Sequence, residues 1–403
     1  MNLLVTNTRN GQAYCIIRSL RKQASKVIGT VDGENRLVAR LAPAALSRFV
    51  DKVYHVPSLV DDWRRGSIEH GDTEPVHRFI REILRICEKE RIDVVFPSWD
   101  PQICAFSRNK YQFTQKGIVL PVPEWRVLSR LVDKYRLMHE ATVAGFPRPE
   151  TFLPKDEGDA LDAAQQLGFP LVVKPRFSSG SRGTCLVRNE AELVAAMKKC
   201  VPIYGAPMLQ EYIGGGNSGL INLIVVLDRG YRLRAFHSRR VVRSVSERFA
   251  STTSAEVCMH DSRLAERAAD LLRNAGYYGH AALQLQRDAR DGIPKLLEIN
   301  CRISYRAWCE IDIGFHLPLL TLQVERGENI PSMNGCRREM MFVYPVEDTI
   351  GRLSRGVRGG RDDGQPTLLD WYFKSLWTDP LHAISWYGTR LRAMYEEMRR
   401  PDV

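Results

Sequence analysis

The chain has 403 residues, of which 44% are hydrophobic and 26% are charged, as in ordinary globular proteins with two or three domains. Lysine and arginine number 58 against 47 acidic residues, but this surplus is spread along the chain, so we expect a cleft for small anions and no nucleic acid. The nine cysteines form no CxxC pair, and no apolar run approaches the ~20 residues that cross a bilayer. We therefore expect a cytoplasmic protein with reduced thiols, no structural zinc site and no transmembrane segment.

Short apolar strands and amphipathic helices alternate in the first part of the chain. They are predicted at 2–6, 11–21, 26–31, 76–89 and 93–96. Because βαβ units form a parallel sheet covered by helices, we predict a doubly wound, Rossmann-like α/β domain over residues 1–115. The loop after the first strand lacks GxGxxG spacing, so no dinucleotide site is predicted there.

A second set of elements follows between residues 150 and 276. We predict helices at 160–167, 190–200 and 262–275, strands beginning near Leu171 and Met208, and two strands at 219–227 and 231–243. For the helix at 262–275, Asp261 is the predicted N-cap and Gly276 the predicted stop signal.

A lysine and a loop of small residues follow the strand that begins at Leu171. Glycine and serine let the backbone approach phosphates, and lysine adds a point charge. The candidate phosphate-binding residues are Lys174, Ser179, Gly180, Ser181 and Gly183. The loop is not a Walker A motif, because no helix opens there, and a hairpin over the phosphates fits better. The alternative for Lys174 is a strand-end lysine that only reaches solvent.

The strand that begins at Met208 runs into a glycine-rich hinge. Backbone groups of such a hinge can contact an adenine edge, and Glu211 could accept a hydrogen bond from the adenine amino group. This segment is therefore a candidate adenine site.

Polar residues occupy alternate positions at a predicted strand end. Side chains alternate between the faces of a strand, so Glu298, Asn300 and Arg302 should converge on one side. A turn at 288–292 would fold this strand into a hairpin that brings Gln284 beside Glu298, and we expect the helix at 262–275 to pack behind it. Oxygen ligands on paired strands suit Mg²⁺, although polar strand ends also bond to neighbouring groups without any metal.

These elements, in this order, resemble the ATP-grasp superfamily. Asp133 and Lys134 open a helix, the segment 145–151 follows, and then come the lysine strand, the glycine loop, the hinge and the polar hairpin. The resemblance implies a pre-ATP-grasp domain at 1–115, an ATP-grasp domain of two α+β subdomains at 116–330 with a lid at about 150–215, and a C-terminal extension at 331–403. Within the superfamily the chain looks closest to the stand-alone carboxylate–amine ligases of the carbamoyl-phosphate-synthase-like branch, which also contains D-aspartate ligases.

The resemblance also implies roles for the candidate site residues. Lys134 and Lys174 would contact ATP phosphates under the loop 178–183, and Glu211, Tyr212 and Ile213 would hold adenine. Gln284, Glu298 and Asn300 would bind Mg²⁺, with Mn²⁺ as an alternative ion. Arg302 would touch the transferred phosphoryl group, with Asn300 and Lys174 as further catalytic residues. The family's ribose-binding glutamate is missing, and Ser218 is the nearest substitute.

Four arginines are candidates for binding a substrate carboxylate: Arg239, Arg240, Arg243 and Arg306. Strand alternation predicts Arg239 and Arg243 on one face of the strand and Arg240 on the other. Cys301 and Cys309 flank Arg302 and Arg306, and because cations lower thiol pKa values, a covalent role for one of these cysteines is an alternative.

The resemblance implies an ATP-dependent ligase that activates a small-molecule or peptide carboxylate as an acyl phosphate and joins it to an amine, releasing ADP and phosphate. The alternative is a non-catalytic nucleotide-binding protein with a regulatory or scaffolding role, and another nucleophile, such as a thiol or ammonia, stays open. In the extension, Gly351 to Gly364 is a predicted loop and the aromatics between 368 and 387 predict packing on the parent domain or a homodimer partner. A peripheral membrane contact of that region is the other interpretation.

Overall fold

The structure is a computed structural model that describes residues 1–33, 42–60, 63, 73–244, 252–259, 261–304, 307–312, 314–334, 340–343, 378–385 and 388. Within these ranges no helix is both long and apolar enough to cross a membrane.

The N-terminal part is built on a four-stranded parallel sheet. Its strands are β1 (Asn2–Val5), β2 (Lys26–Asp32), β3 (Lys52–Val56) and β4 (Val94–Phe96), in the order β3-β2-β1-β4. The helices are α1 (Gly11–Leu20), α2 (Glu74–Glu90), α3 (Asp100–Arg108) and α4 (Lys110–Thr114), with a 3-10 helix at Pro43–Leu46. The central strands β1 and β4 are largely apolar and buried, as expected for a parallel sheet that helices cover. The predicted βαβ opening is confirmed, since β1 and β2 pair in parallel.

A small antiparallel sheet follows two helices, α5 (Trp125–Val132) and α6 (Lys134–Val143). Its strands are β5 (Thr151–Phe152), β6 (Leu171–Lys174), β7 (Cys185–Val187) and β8 (Met208–Glu211), in the order β5-β8-β6-β7. Helices α7 (Glu157–Leu167) and α8 (Glu190–Tyr204) pack their small residues against it, among them Ala160 and Ala196. The strands β5–β8 and the helices α7 and α8 lie inside the range predicted for the lid, about 150–215.

A seven-stranded sheet forms the centre of the second part. Its strands are β9 (Leu220–Leu227), β10 (Leu233–Ser244), β11 (Thr252–Met259), β12 (Gly279–Arg287), β13 (Pro294–Asn300), β14 (Met333–Asn334) and β15 (Met340–Val343). The order is β13-β12-β9-β10-β11-β15, with β14 paired to β10. Because β14 and β15 lie beyond residue 330, the sheet extends past the predicted end of the ATP-grasp domain, and the domain limits at 115 and 330 stay predictions.

The two faces of the large sheet have different coverings. One face packs Leu223 and Val225 against helix α9 (Ser262–Asn274), while the other packs Ile224 and Val226 against α11 (Leu317–Glu325), which follows α10 (Ala307–Asp312). The backbone N–H of Leu264 donates to the Asp261 side chain, and Gly276 has φ +72°, so the predicted cap and stop of α9 are confirmed.

The expected packing of α9 behind the polar hairpin is corrected by the structure. Helix α9 packs on β9, β10 and α6, and it is α5 and α6 that pack against β13. The sequence pattern shows which face of a helix is apolar, but it carries no information on which strands that face covers.

Residues far apart in the chain join the N-terminal part to later segments. The ammonium of buried Lys110 lies 3.1 Å from the Glu325 carboxylate at the end of α11. Near the C-terminus, Asp379 accepts hydrogen bonds from the Ser47 hydroxyl and, at 3.1 Å, from the Arg48 backbone. His382 stacks on Tyr14 with ring centroids 3.4 Å apart. Residues 378–385 therefore pack on the parent protein, whereas the predicted loop 351–364 and most of the aromatics lie outside the described residues.

Candidate active site

The polar hairpin forms as predicted from the sequence. Strands β12 and β13 pair antiparallel, with Gln284 opposite Glu298 and Ala282 opposite Asn300. Opposite residues of such a pair project from the same face. The Asn300 amide nitrogen donates to the Glu298 carboxylate at 3.1 Å. One carboxylate and two side-chain amides thus lie on the same face of this hairpin.

Two lysines from separate elements face this hairpin. The Lys134 ammonium, on the first turn of α6, lies 3.7 Å from the Glu298 carboxylate and donates to the Ser178 carbonyl at 2.7 Å. Lys174, the last residue of β6, donates to the Leu297 carbonyl at 3.2 Å. The sequence-predicted lysines and the predicted hairpin therefore meet at one place.

The charged side chains at this place shift one another's pKa values. Burial lowers the pKa of Lys174 to about 8, Lys134 acts in the same direction, and Glu298 opposes both. Burial acts to raise the pKa of Glu298, but the charges of the two lysines and Arg302, with the Asn300 amide, hold it below its ordinary value. An ionised carboxylate is thus kept between cations.

Arg302 is held by a residue that the sequence did not indicate. Its guanidinium Nε donates to Asp100 at 2.8 Å, and Asp100 is the first residue of α3 in the N-terminal part. The ion pair fixes the arginine beside the polar strand end, because a carboxylate restricts the guanidinium more than water does. No motif marked Asp100, since only the packing of two distant segments brings it to the site.

The small-residue loop joins two antiparallel strands, β6 and β7, and is therefore the predicted hairpin loop. Gly180, Ser181 and Gly183 all have positive φ, between +56° and +75°. At Gly183 a Cβ atom would lie 2.7 Å from the Tyr204 ring and 2.8 Å from Pro175, so only glycine fits there. Asp133 anchors the base of the loop by pairing with Arg176 while capping α6.

The donor set fits a magnesium ion that is bound partly by the protein and partly by phosphate oxygens. Among the residues that the structure describes, no three His, Cys, Asp or Glu side chains form a metal-binding group. Gln284, Glu298 and Asn300 offer one carboxylate and two amide oxygens, which are hard ligands. A site with only three protein ligands suits Mg²⁺, because this ion usually keeps coordination positions for substrate phosphates.

A family model and curated relatives match the part of the chain that holds these residues. The model described as the ATP-binding domain of the carbamoyl-phosphate synthase L chain matches residues 133–207. The D-alanine–D-alanine ligase of Pseudomonas entomophila is 34% identical over 84 residues, which is 21% of this chain and 26% of the ligase. The 2-oxoglutarate carboxylase small subunit of Hydrogenobacter thermophilus is 33% identical over 108 residues, 25% of this chain and 23% of the subunit. The matches span only about a quarter of these relatives.

Solved structures resemble the fold over most of the chain. The biotin carboxylase domain of the Hydrogenobacter thermophilus 2-oxoglutarate carboxylase, a dimer in complex with MgADP, ADP and bicarbonate, has a TM-score of 0.66 and 18% identity, covering 84% of this chain and 73% of that one. The biotin carboxylase of Campylobacter jejuni gives 0.66 and 17%, with 84% and 74% covered. The family match, the curated relatives and the fold together support an ATP-grasp superfamily member.

The segment predicted to be the adenine hinge joins β8 of the small sheet to β9 of the large sheet. Glu211 ends β8, and its carboxylate pairs with Arg290 and accepts from the Glu150 backbone at 3.1 Å. Tyr212 is 38% exposed whereas Ile213 is buried. An adenine amino group would compete with Arg290 for the Glu211 side chain, so the roles of these residues stay predictions.

The role of Ser218 in place of the missing ribose-binding glutamate also stays a prediction. Ser218 is exposed in the 3-10 helix Asn217–Gly219, where the chain enters β9. Its hydroxyl is at the surface between hinge and sheet, and no contact in the structure assigns it a ligand.

The structure describes only some of the four arginines predicted to bind a substrate carboxylate. Arg239 is buried on β10, and its neighbour Arg240 is partly exposed, as the predicted alternation requires. The side chain of Arg243 and the whole of Arg306 lie outside the described residues. A bulge between Val241 and Arg243 interrupts the register with β11.

Cys301 does not suit the covalent alternative. It is buried, and this burial raises the pKa of its thiol to about 12 in spite of the nearby Arg302. A thiol of that kind is protonated at neutral pH and is a poor nucleophile. The side chain of Cys309 lies outside the described residues.

Proposed function

We propose that this chain is an ATP- and Mg²⁺-dependent ligase that activates a substrate carboxylate as an acyl phosphate and joins it to an amine. The observation that carries the proposal is the cross-strand pair of Gln284 and Glu298, with the Lys134 ammonium 3.7 Å from the Glu298 carboxylate. This arrangement can hold a cation and balance the charge of a triphosphate tail. Relatives named as ligases and carboxylases support the proposal.

The proposed reaction has two steps. An oxygen of the substrate carboxylate attacks the γ-phosphorus, the bond to the bridging oxygen breaks, and ADP leaves with that electron pair. The amine nitrogen then attacks the acyl carbon, inorganic phosphate leaves, and the nitrogen loses a proton. When bound, Mg²⁺ would neutralise charge on the phosphate oxygens.

The chain's own groups have separate tasks in this scheme. Lys134 and Lys174 counter the negative charge of the transferred group, and the backbone N–H groups of the loop 178–183 surround it. Arg302, oriented by Asp100, stabilises the departing phosphate. Closure of the small sheet over the site would keep water from the acyl phosphate.

The narrower assignment is also a proposal. We assign the chain to the stand-alone carboxylate–amine ligases of the carbamoyl-phosphate-synthase-like branch, which the family match over residues 133–207 supports. The substrates would be a small-molecule or peptide acid and an amine. A homodimer is part of this proposal, and sedimentation of the full-length protein tests it.

Release of ADP and phosphate from ATP, across a panel of acids and amines, tests the proposed activity. We expect Glu298→Gln, which removes a charge but keeps the size of the side chain, to lower kcat at least 100-fold. The matched control is Asp291→Asn in the turn of the same hairpin. Its exposed carboxylate lies 3.8 Å from the Lys295 ammonium, outside the proposed ATP site, and we expect this variant to keep the wild-type kcat.

Full turnover by the Glu298→Gln variant contradicts the proposal. Thermal stabilisation of the wild-type protein by nucleotide, without ADP formation for any acid and amine, would favour the non-catalytic nucleotide-binding alternative.

A further inference from the structure

A second group of buried charged residues lies on the large sheet. His237 and Arg239 come from β10, His280 from β12 and Glu310 from α10, and none of the four is more than 4% exposed. A Glu310 carboxylate oxygen is 3.3 Å from the His237 ring nitrogen Nε2 and 3.3 Å from an Arg239 guanidinium nitrogen. We call these four residues the buried polar cluster.

The buried polar cluster lies on the same face of the sheet as the candidate metal ligands. Strand pairing places four residues in one row across the sheet: Glu298, Gln284, Asn222 and Arg239. Three strand spacings of about 4.8 Å separate the ends of this row, roughly 14 Å in all. His280 is near enough to the Arg302 backbone for that backbone to act on the pKa of the imidazole, raising it against the effect of burial. The buried polar cluster therefore borders the strand end that carries the candidate catalytic residues.

The cluster has unused hydrogen-bonding capacity. Within the described part of the chain, no hydrogen-bond partner is found for Nε and Nη1 of Arg239, both oxygens of Glu310, both ring nitrogens of His237 and Nε2 of His280. The charged groups are close enough to attract each other, but they are not aligned as hydrogen bonds. Buried polar atoms almost always have hydrogen-bond partners, and leaving one unpaired destabilises the protein. The arrangement therefore fits a guest that both accepts and donates.

The protonation states define what such a guest must offer. Burial acts to raise the pKa of Glu310, but Arg239 and His237 bring it below its ordinary value, so the carboxylate is ionised. Burial lowers the pKa of His280 to about 4, so this imidazole is neutral. The guest must meet a cation and an anion that are a few ångströms apart. The ammonium and the carboxylate of an α-amino acid are a cation and an anion with that separation.

We propose that the buried polar cluster binds the zwitterionic end of an amino-acid substrate, with its carboxylate on Arg239 and its ammonium on Glu310. This inference rests on the proposed ligase function and names the class of one of its two substrates. An ammonium held by an ionised carboxylate keeps its proton, so it is not the attacking amine. The reacting group is therefore another part of the amino acid, directed along the row towards Gln284 and Glu298.

Calorimetric titration of the full-length protein with a panel of amino acids, with and without MgADP, tests this proposal without any turnover. We expect at least one free amino acid to bind. Its N-acetyl and methyl-ester derivatives, which each block one end of the zwitterion, should bind at least tenfold more weakly.

Variants then assign the binding to these residues. Replacing both partners of a buried ion pair by apolar residues is often neutral for stability, so Arg239→Met with Glu310→Met should fold. We expect this double variant to lose amino-acid binding at least 100-fold and to keep its affinity for MgADP. The matched control is Arg234→Met on the same strand, whose Nε donates to the Ile330 carbonyl at 3.0 Å, and it should bind as the wild type does.

The outcomes separate the two proposals. If no amino acid binds with or without MgADP, internal water satisfies the buried polar cluster. The proposed amino-acid site is then overturned, whether or not the nucleotide binds. Unchanged affinity in the double variant, or in the blocked derivatives, overturns it as well. Failure of MgADP to bind overturns the ligase function alone. If the double variant does not fold, the blocked derivatives on the wild-type protein still decide.

Discussion

Arg302 and Asp100 are 202 positions apart in the chain, yet the guanidinium Nε donates to the carboxylate at 2.8 Å. The pair ties the strand end of the large sheet to the first residue of α3. Both side chains are largely buried, with 16% and 11% of their surfaces exposed, so solvent screens the interaction only weakly.

Asp100→Asn should reduce catalysis more than nucleotide binding. A neutral amide orients Arg302 less firmly, so we expect kcat to fall about tenfold or more with little change in the KM for ATP. Stability should fall by about 1–3 kcal/mol, because a buried charge loses its partner. Steady-state ADP release and urea denaturation measure the two effects. Glu74→Gln, in the exposed Arg81 pair, is the control and should change neither.

Nucleotide affinity should fall as the pH rises through the pKa of Lys174, which burial lowers to about 8. A neutral lysine no longer attracts phosphate, so the Kd of MgATP should increase several-fold between pH 7 and pH 9. Lys174→Arg keeps its charge in this range and should give a flatter profile. Titration calorimetry at several pH values measures this, and equal slopes for both proteins would show that another group titrates.

The same shift affects stability in the opposite direction. An unfolded lysine keeps its proton up to about pH 10.4, whereas folded Lys174 loses it near 8. Between these values the unfolded state binds more protons, so this residue's contribution to the free energy of unfolding rises with pH. Denaturation curves of the wild type and Lys174→Arg at pH 8 and pH 10 measure the difference.

Gly183→Ala should destabilise the protein more than Gly180→Ala. Both glycines have positive φ, but only at Gly183 would a Cβ meet Tyr204 and Pro175, at 2.7 and 2.8 Å. We expect a loss of about 2–4 kcal/mol for Gly183→Ala and of about 1 kcal/mol for Gly180→Ala. Urea denaturation measures both, and equal losses would mean that the loop adapts to the added methyl group.

Asp133→Ala should weaken ATP binding as well as the fold. Asp133 is fully buried, caps α6 and pairs with Arg176 at the base of the phosphate loop. We expect a loss of more than 2 kcal/mol and a higher KM for ATP. Asp261→Ala, which removes only the cap of α9, should cost about 1 kcal/mol and leave the KM unchanged. A raised KM in both variants would point to general loosening instead.

Local signals explain why the hairpin was predictable. The turn at 288–292 and the alternation at Glu298 and Asn300 lie within about twenty residues, so spacing alone places Gln284 opposite Glu298. The same holds for the cap at Asp261 and the stop at Gly276, because capping depends on immediate neighbours.

The supporting residues could not be predicted in this way. Asp100 reaches Arg302, and Glu310 reaches Arg239, only after separate segments have packed together. A sequence pattern records which side chains share a face of one element, but not which elements meet. Asn222 illustrates this, since its position in the row with Gln284 depends on the pairing of β9 with β12.

The docking of Asp379 on Ser47, 332 positions apart, has a consequence for biosynthesis. A ribosome delivers the sheet β1–β4 first, while Asp379, which bonds to the Ser47 hydroxyl, emerges 332 residues after Ser47, together with the His382 that covers Tyr14. During that interval the nascent chain carries an uncovered aromatic surface, which is the kind of surface that chaperones bind.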